Sequence, residues 1–264
     1  AELIEPEILT FYRFLLGATL LGLYLIVTKR LSRDLFFKPW RYLILGGIYS
    51  IYFVFMFIAL KYTSTISTSA IFALMPFATL ILDSMIFNKK SHSLIWLALC
   101  ISSVGALYIV FDGSLINALN FKLDFGELIF LIGTIVYSSY ALVQPRLNFG
   151  ENLLITTFGV LTAGTLILAM SIIIQGLDFI PTNISIGLVF LIIYLAIFAS
   201  IGTILCLNFA SSRIPGTNVM AYSLLIPFWV LMFETFTKDS FAPGYTYVGI
   251  IPIGFGLLLL YRNS

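Results

Sequence analysis

STISTSAIFALMPFATLILDSMIF, Ser64 to Phe87, carries a proline in mid-run at Pro76 and, seven residues on, an acid at Asp83. Thr217 to Thr237 reads TNVMAYSLLIPFWVLMFETFT, where Pro227 is followed at the same interval by Glu234. The offset of 151 that lays Pro76 on Pro227 also lays Ala59 on Ala210, Ala70 on Ala221, Leu74 on Leu225, Phe77 on Phe228 and Leu80 on Leu231. Without a gap it continues through Gly105 on Gly256 and Leu107 on Leu258. Two copies of a hydrophobic unit, each with a proline-interrupted helix, are the sequence sign of a solute pathway between internal repeats.

Composition sets the solvent. Of 264 residues, 60% are hydrophobic and 10% charged, far from the usage of soluble domains. Mean hydropathy is +1.07. A helix crosses the roughly 30 Å hydrocarbon core with about 20 apolar residues, and runs of that length predict nine spans. They lie near 6–28, 41–60, 64–87, 93–111, 125–145, 152–174, 185–208, 216–237 and 244–261. Barrel strands would alternate over about ten residues, so helices are expected throughout. The net charge of +2 comes without a basic run, which argues against a nucleic-acid partner. Cys100 and Cys206 fall inside spans and imply neither disulfide nor metal site, and His92, in the polar turn 88–93, reads as a solvated loop residue.

Lys29, Arg30, Arg33, Lys38 and Arg41 cluster after the first span, and the positive-inside rule makes that turn cytoplasmic. Alternation then puts Lys89, Lys90, Arg146, Arg213 and Arg262 inside, against Lys61, Lys122 and Lys238 outside, so Ser264 is expected in the cytoplasm. The first copy shows four spans and the second five. Five is odd, so the copies enter the membrane from opposite sides, and ten helices are expected, of which this chain carries nine. The expected organisation is a first repeat over 1–111, a second over 125–264 and a periplasmic connection over 112–124.

The Arg13-Phe14 pair, Ala59-Leu60-Lys61-Tyr62-Thr63-Ser64 leading into the Pro76 helix, Gly105, and Gly126-Glu127 opening the second half together resemble the drug/metabolite transporter superfamily of the EamA type. Where such chains usually carry Gly-Glu after the proline helix, this one has Asn88-Lys89. The resemblance implies two inverted five-helix repeats, a central cavity, residence in the cell inner membrane, and transport of small metabolites such as amino acids, moving as efflux. It implies no cofactor.

Asp83, Glu234 and Arg13 are the candidates for ion coupling or gating, because a charge at membrane depth costs at least about 2.5 kcal/mol on insertion scales unless it faces water or a partner. By depth Arg13 is expected to pair with Glu234. Each proline frees a carbonyl four residues earlier, that of Phe72 and that of Ser223, so the proline faces should point to a cavity. Helical spacing then puts Thr65, Ser69, Phe72, Pro76, Thr79 and Asp83 on one face, and Gly216, Met220, Ser223, Pro227 and Glu234 on the other. Thr134, Tyr137, Tyr140 and Gln144 form a polar-aromatic stripe, with Tyr49 and Tyr52 a shorter pair suited to a small amphipathic solute. Asn208 serves either as glue between helices or as a ligand contact, and Gly17, Gly46, Gly47, Gly159, Gly164, Gly202, Gly249, Gly254 and Gly256 read as close-packing positions.

A secondary transporter of small metabolites is the expected function; with no nucleotide-hydrolysing loop to drive it, proton coupling through Asp83 or Glu234 is the natural suggestion and uncoupled facilitated exchange stays open beside it. The alternatives are a non-transporting membrane fragment or assembly partner, and a membrane-embedded enzyme. The latter would need nucleophile, base or metal ligands to converge within the bilayer, a pattern absent from this sequence.

Overall fold

Long apolar runs without strand alternation give a computed structural model that is 83% helix, with no strand among the described residues. It describes residues 5–30, 38–88, 92–180, 185–237 and 244–262. Among these, nine helical stretches are long and apolar enough to cross a membrane. In chain order the helices are α1 (Pro6–Val27), α2 (Trp40–Leu60), α3 (Thr65–Phe72), α4 (Met75–Phe87), α5 (Ser93–Val110), α6 (Leu115–Leu119) and α7 (Phe125–Ser138). There follow α8 (Tyr140–Leu147), α9 (Leu153–Gln175), α10 (Ile186–Tyr194), α11 (Thr203–Ser211), α12 (Gly216–Ala221), α13 (Ile226–Thr237) and α14 (Ile250–Arg262). A π-helical stretch, Leu195–Gly202, joins α10 to α11, and 3-10 turns at Tyr222–Leu225 and Gly244–Gly249 lead into α13 and α14.

The local signals are where the sequence puts them. Pro6 and Pro76 stand in the first turns of α1 and α4, where a missing N–H costs nothing. Ser64, Asn152 and Ser185 cap α3, α9 and α10 through side-chain oxygens. His92 does the same for α5, its Nδ1 accepting from Leu94 N at 3.4 Å, so the loop histidine serves as a helix cap. Gly176, at φ +66°, ends α9 in the left-handed conformation that a Cβ would disfavour. Both free cysteines are exposed.

The proline stretches break alike. In the first copy α3 stops at Phe72 and α4 starts at Met75; in the second, α12 stops at Ala221 and a 3-10 turn carries the chain to α13. Proline cannot donate to the carbonyl four residues back and its ring crowds that carbonyl, so the turn before it opens or tightens. Two neighbouring serines supply hydroxyls at the first break: Ser103 Oγ donates to Ala73 O at 3.5 Å and Ser138 Oγ to Met75 O at 3.2 Å. Phe72 O, expected to need such a donor, is not the atom these hydroxyls reach. At the second break Ser223 turns its own Oγ back onto Met220 O at 2.6 Å.

The span over 125–145 holds as one helical stretch, Phe125–Leu147, with a single turn residue at Ser139 that stays in the right-handed helical region between α7 and α8. Two expectations are corrected here. The connection 112–124 is not all loop, since it contains α6, capped by Ser114. Gly254 faces open space and is not a close-packing position.

The chain divides into two compact units. The first holds residues 1–57 and 143–213, the second 58–142 and 214–264. In the first, α1 lies along α9, with Gly22 against Phe158, Gly17 against Leu161 and Phe14 against Gly164. One number falls as the other rises, so the helices run antiparallel, and the offset of 151 carries α1 onto α9 within a few residues. In the second, α5 lies along α14 and the same rule holds more tightly. A Cβ on Gly105 would stand 2.5 Å from Gly249 O, and one on Gly256 would collide with Ala98 O. These two contacts are each other's image under the offset, as an isologous two-fold contact requires. Ser102, whose image is Ile253, donates to Ile253 O at 3.3 Å and marks where the axis passes. Corresponding helices that pack antiparallel are the signature of inverted copies.

Candidate solute pathway

In the second unit, α3, α5 and α13 border a half-open pocket of about 300 Å³, lined by Ile66, Ser69, Ile109, Val110, Asp112, Pro227, Val230 and Leu231. It brings together Ser69 from one proline stretch and Pro227 from the other. Among the lining side chains Ser69 and Asp112 are polar and the rest are apolar. Asp112 was missed at the sequence level, where it looked like an ordinary loop acid.

Phe72 and Tyr137 also meet, their rings stacked at 6.4 Å with Phe130 beside them at 6.3 Å from Phe72. Other members of the expected face are sealed in packing. Thr79 is 0% exposed, and its hydroxyl is shared between Met75 O at 3.0 Å and Ser138 O at 3.3 Å, so it joins α4 to α7. Tyr140 is likewise 0% exposed, as are Thr134 and Gln144 of the same stripe. Met220 and Pro76 are buried, and Asp83 is 8% exposed within α4. The side chains of Thr65 and Glu234 lie outside the described residues, so the expected Arg13–Glu234 pair does too.

The first unit holds Arg13, on the eighth residue of α1 and roughly 10 Å from its start at 1.5 Å per residue. Its guanidinium stands over two rings, 4.5 Å from the centroid of Phe53 and 5.4 Å from that of Phe14. Tyr49 and Tyr52 lie within electrostatic range of it. Tyr49 stacks on Phe14 at 5.7 Å and meets Phe53 edge-on at 5.4 Å, while Tyr52 meets Phe53 at 5.3 Å. The four rings form one aromatic wall for the cation. Nε and Nη2 of Arg13 are buried and have no hydrogen-bond partner among the described residues. Ring faces offset about 0.5–2 kcal/mol of the cost of placing this charge.

A different arginine takes the strong partner. Arg41 is 2% exposed and ion-paired with the buried Glu151, while its Nη1 donates to Leu147 O at 3.0 Å and its Nε to Lys38 O at 3.2 Å. Phe149 closes over the guanidinium at 4.8 Å. The sequence reading counted Arg41 as a loop charge; it is instead the second residue of α2 and holds that end to the α8–α9 turn. Only a short polar turn, Asn148 to Asn152, could have hinted at a partner. Glu127, noted for its place after Gly126, turns out to be buried and hydrogen-bonded to Thr63. Asn208 is glue: it is 0% exposed and its Nδ2 donates to Thr157 Oγ1 at 3.2 Å.

The EamA-like transporter family matches residues 1–111 and 124–262. The chain is 25% identical over 257 residues to the "Uncharacterized transporter YyaM" of Bacillus subtilis (strain 168), covering 96% of this chain and 84% of that one. It is 24% identical over 255 residues to an "Uncharacterized transporter" of Archaeoglobus fulgidus, covering 93% and 84%. A crystal structure of a protein superimposes with a TM-score of 0.78 at 15% identity, covering 98% of this chain and 88% of the other, a likeness of fold alone. With the duplicated proline breaks and antiparallel corresponding helices, the match assigns the chain to the EamA-like transporter family, as a multi-pass membrane transporter for small solutes.

Proposed function

We infer that the protein is a secondary transporter of small metabolites, amino acids or related compounds, working in the efflux direction by alternating access at a central cavity between inverted repeats 1–111 and 125–264. The observation that carries this is the antiparallel packing of corresponding helices. A site built from inverted copies offers equivalent arrangements to the two sides of the membrane, and rocking one copy against the other exchanges them. Ser69, Phe72, Tyr137 and Pro227 are the pathway residues this reading favours, with Ser223 and Met220 from the same unit; Tyr49 and Tyr52 are the ones it favours in the first unit. Asp83 and Glu234 are the proposed proton-coupling pair. The setting is the inner membrane, with the C-terminus in the cytoplasm.

The test is counterflow of labelled amino acids, purines and nucleosides into proteoliposomes holding the full chain, with and without a pH gradient. Asp83→Asn is run in parallel. One class of solute should accumulate, follow the gradient and lose that dependence in the variant. Flux indifferent to pH and to Asp83 would leave a facilitator without proton coupling, and silence across the panel would overturn the solute class.

A further inference from the structure

Arg13 is a cation placed inside a span with two of its nitrogens buried and unanswered among the described residues. We propose that the Arg13 guanidinium, walled by Phe14, Tyr49, Tyr52 and Phe53, is a binding site for the carboxylate of an anionic solute carrying an apolar or aromatic group. The inference rests on the reading of the chain as a small-solute transporter and names the chemistry its site selects.

Three features of the site argue for it together. A guanidinium presents its donors in a planar fork that matches a carboxylate with two parallel hydrogen bonds, and Nε with Nη2 is one edge of that fork. Those are the two atoms that are buried without a partner among the described residues. The rings hold the cation by its faces, at 4.5 Å from Phe53 and 5.4 Å from Phe14. Face contact stabilises the charge without using its in-plane donors.

Arg13 as a whole is partly exposed, whereas its Nε and Nη2 are closed off by their surroundings, Phe14 is fully buried and Tyr49 is 3% exposed. Phe53 is the one partly exposed ring of the wall. A ligand that displaces this cover meets the charge beside ring surface, which selects an acid with a flat or branched apolar tail. Arg41 shows the contrasting case within the same unit: its charge is already answered by Glu151 and two carbonyls, and it offers no such edge. In a bilayer a charge without a partner is costly, so a mobile counter-ion gains affinity by pairing with an edge that no described residue answers.

The experiment reads binding, not flux. Thermal unfolding of the full chain in detergent is followed with two matched pairs, phenylacetate against phenylacetamide and N-acetyl-L-phenylalanine against its amide. The acids should raise the melting temperature of the wild type and the amides should not. Arg13→Gln should weaken acid binding by about 10- to 100-fold, the scale of a lost charge-assisted hydrogen-bonded pair. Arg13→Lys, which keeps the charge and loses the fork, should fall between them and decides the matter if Arg13→Gln does not fold. Equal stabilisation by acid and amide, or acid binding unchanged in both variants, would overturn the proposal. So would stabilisation by phosphatidylglycerol over phosphatidylcholine nanodiscs that needs Arg13 and that the acids do not displace, because the anion would then be a lipid headgroup. Non-additive stability of Arg13→Gln and Glu234→Gln would overturn it as well, by supplying an internal counter-ion. Arg13-dependent acid binding in a protein silent in counterflow would count against transport and leave this site standing.

Discussion

The two compact units solve the same problem, antiparallel packing of corresponding helices, by partly different chemistry. In the first, α2 and the α8–α9 turn are held by the buried Arg41–Glu151 pair, and an aromatic cluster fills the space around Arg13. In the second, α5 and α14 touch through backbone, glycine against carbonyl, with hydroxyls of Ser102, Ser103 and Ser138 spread over carbonyls nearby. Lipid tails are as apolar as leucine, so burying apolar area gives little association in a bilayer, and close van der Waals contact must do it instead. Both units bring small residues to close approach, Gly46 against Val160 O and Gly164 N in the first as Gly105 against Gly249 O in the second, and the first adds the buried ion pair at one end. The contrast predicts sharply unequal sensitivities.

The largest effect is expected at Arg41. Arg41→Met leaves Glu151 buried without its cation, a loss of about 3–5 kcal/mol for a broken buried pair. Chemical denaturation in detergent micelles should show it, and adding Glu151→Leu should recover most of the loss. If the single variant unfolds no more easily than the wild type, the pair is ornamental and the contrast between units loses its first term.

Next come the glycines on the two-fold contact. Gly256→Val should cost at the upper end of the roughly 1–3 kcal/mol of an overpacked site, because the new Cβ meets the Ala98 carbonyl and Ser102 instead of a flexible side-chain end. Gly105→Val meets Gly249 O and Pro252 in the image position, so the two substitutions should cost the same within error by the same assay. A marked inequality would show that the axis seen in the offset is not an axis of the packing. Gly254→Ala, facing open space, should be nearly silent.

How much of this the sequence could show follows from what each feature depends on. The spans, the duplication and the proline breaks rest on local composition and on a fixed offset, so Pro76 and Pro227 announce themselves. Spacing gave the stripe but not its burial: Thr134, Tyr140 and Gln144 are fully buried, while Tyr137 is partly exposed and meets Phe72. Partners distant in sequence were invisible for a different reason. Arg41 lies about a hundred residues from Glu151, and nothing in an apolar chain marks which of several flanking cations will be drawn inside. Nor could an offset reveal compactness: each unit takes helices from both copies, because corresponding helices attract one another across the repeat.

Ser102 gives the smallest expected effect and the finest test of the comparison. Its Oγ reaches Ile253 O at 3.3 Å, on the axis, but that carbonyl belongs to α14 and has a helical N–H to accept as well. Removing the hydroxyl takes away a second bond and strands no acceptor, so Ser102→Ala should cost only about 0.6 kcal/mol, the average for interhelical side-chain hydrogen bonds in membranes. The smaller alanine also leaves the approach of Gly256 to this turn intact. A cost near that of Gly256→Val would mean that hydroxyl glue, not backbone proximity, holds α5 to α14. The second unit would then resemble the first in drawing on a polar contact.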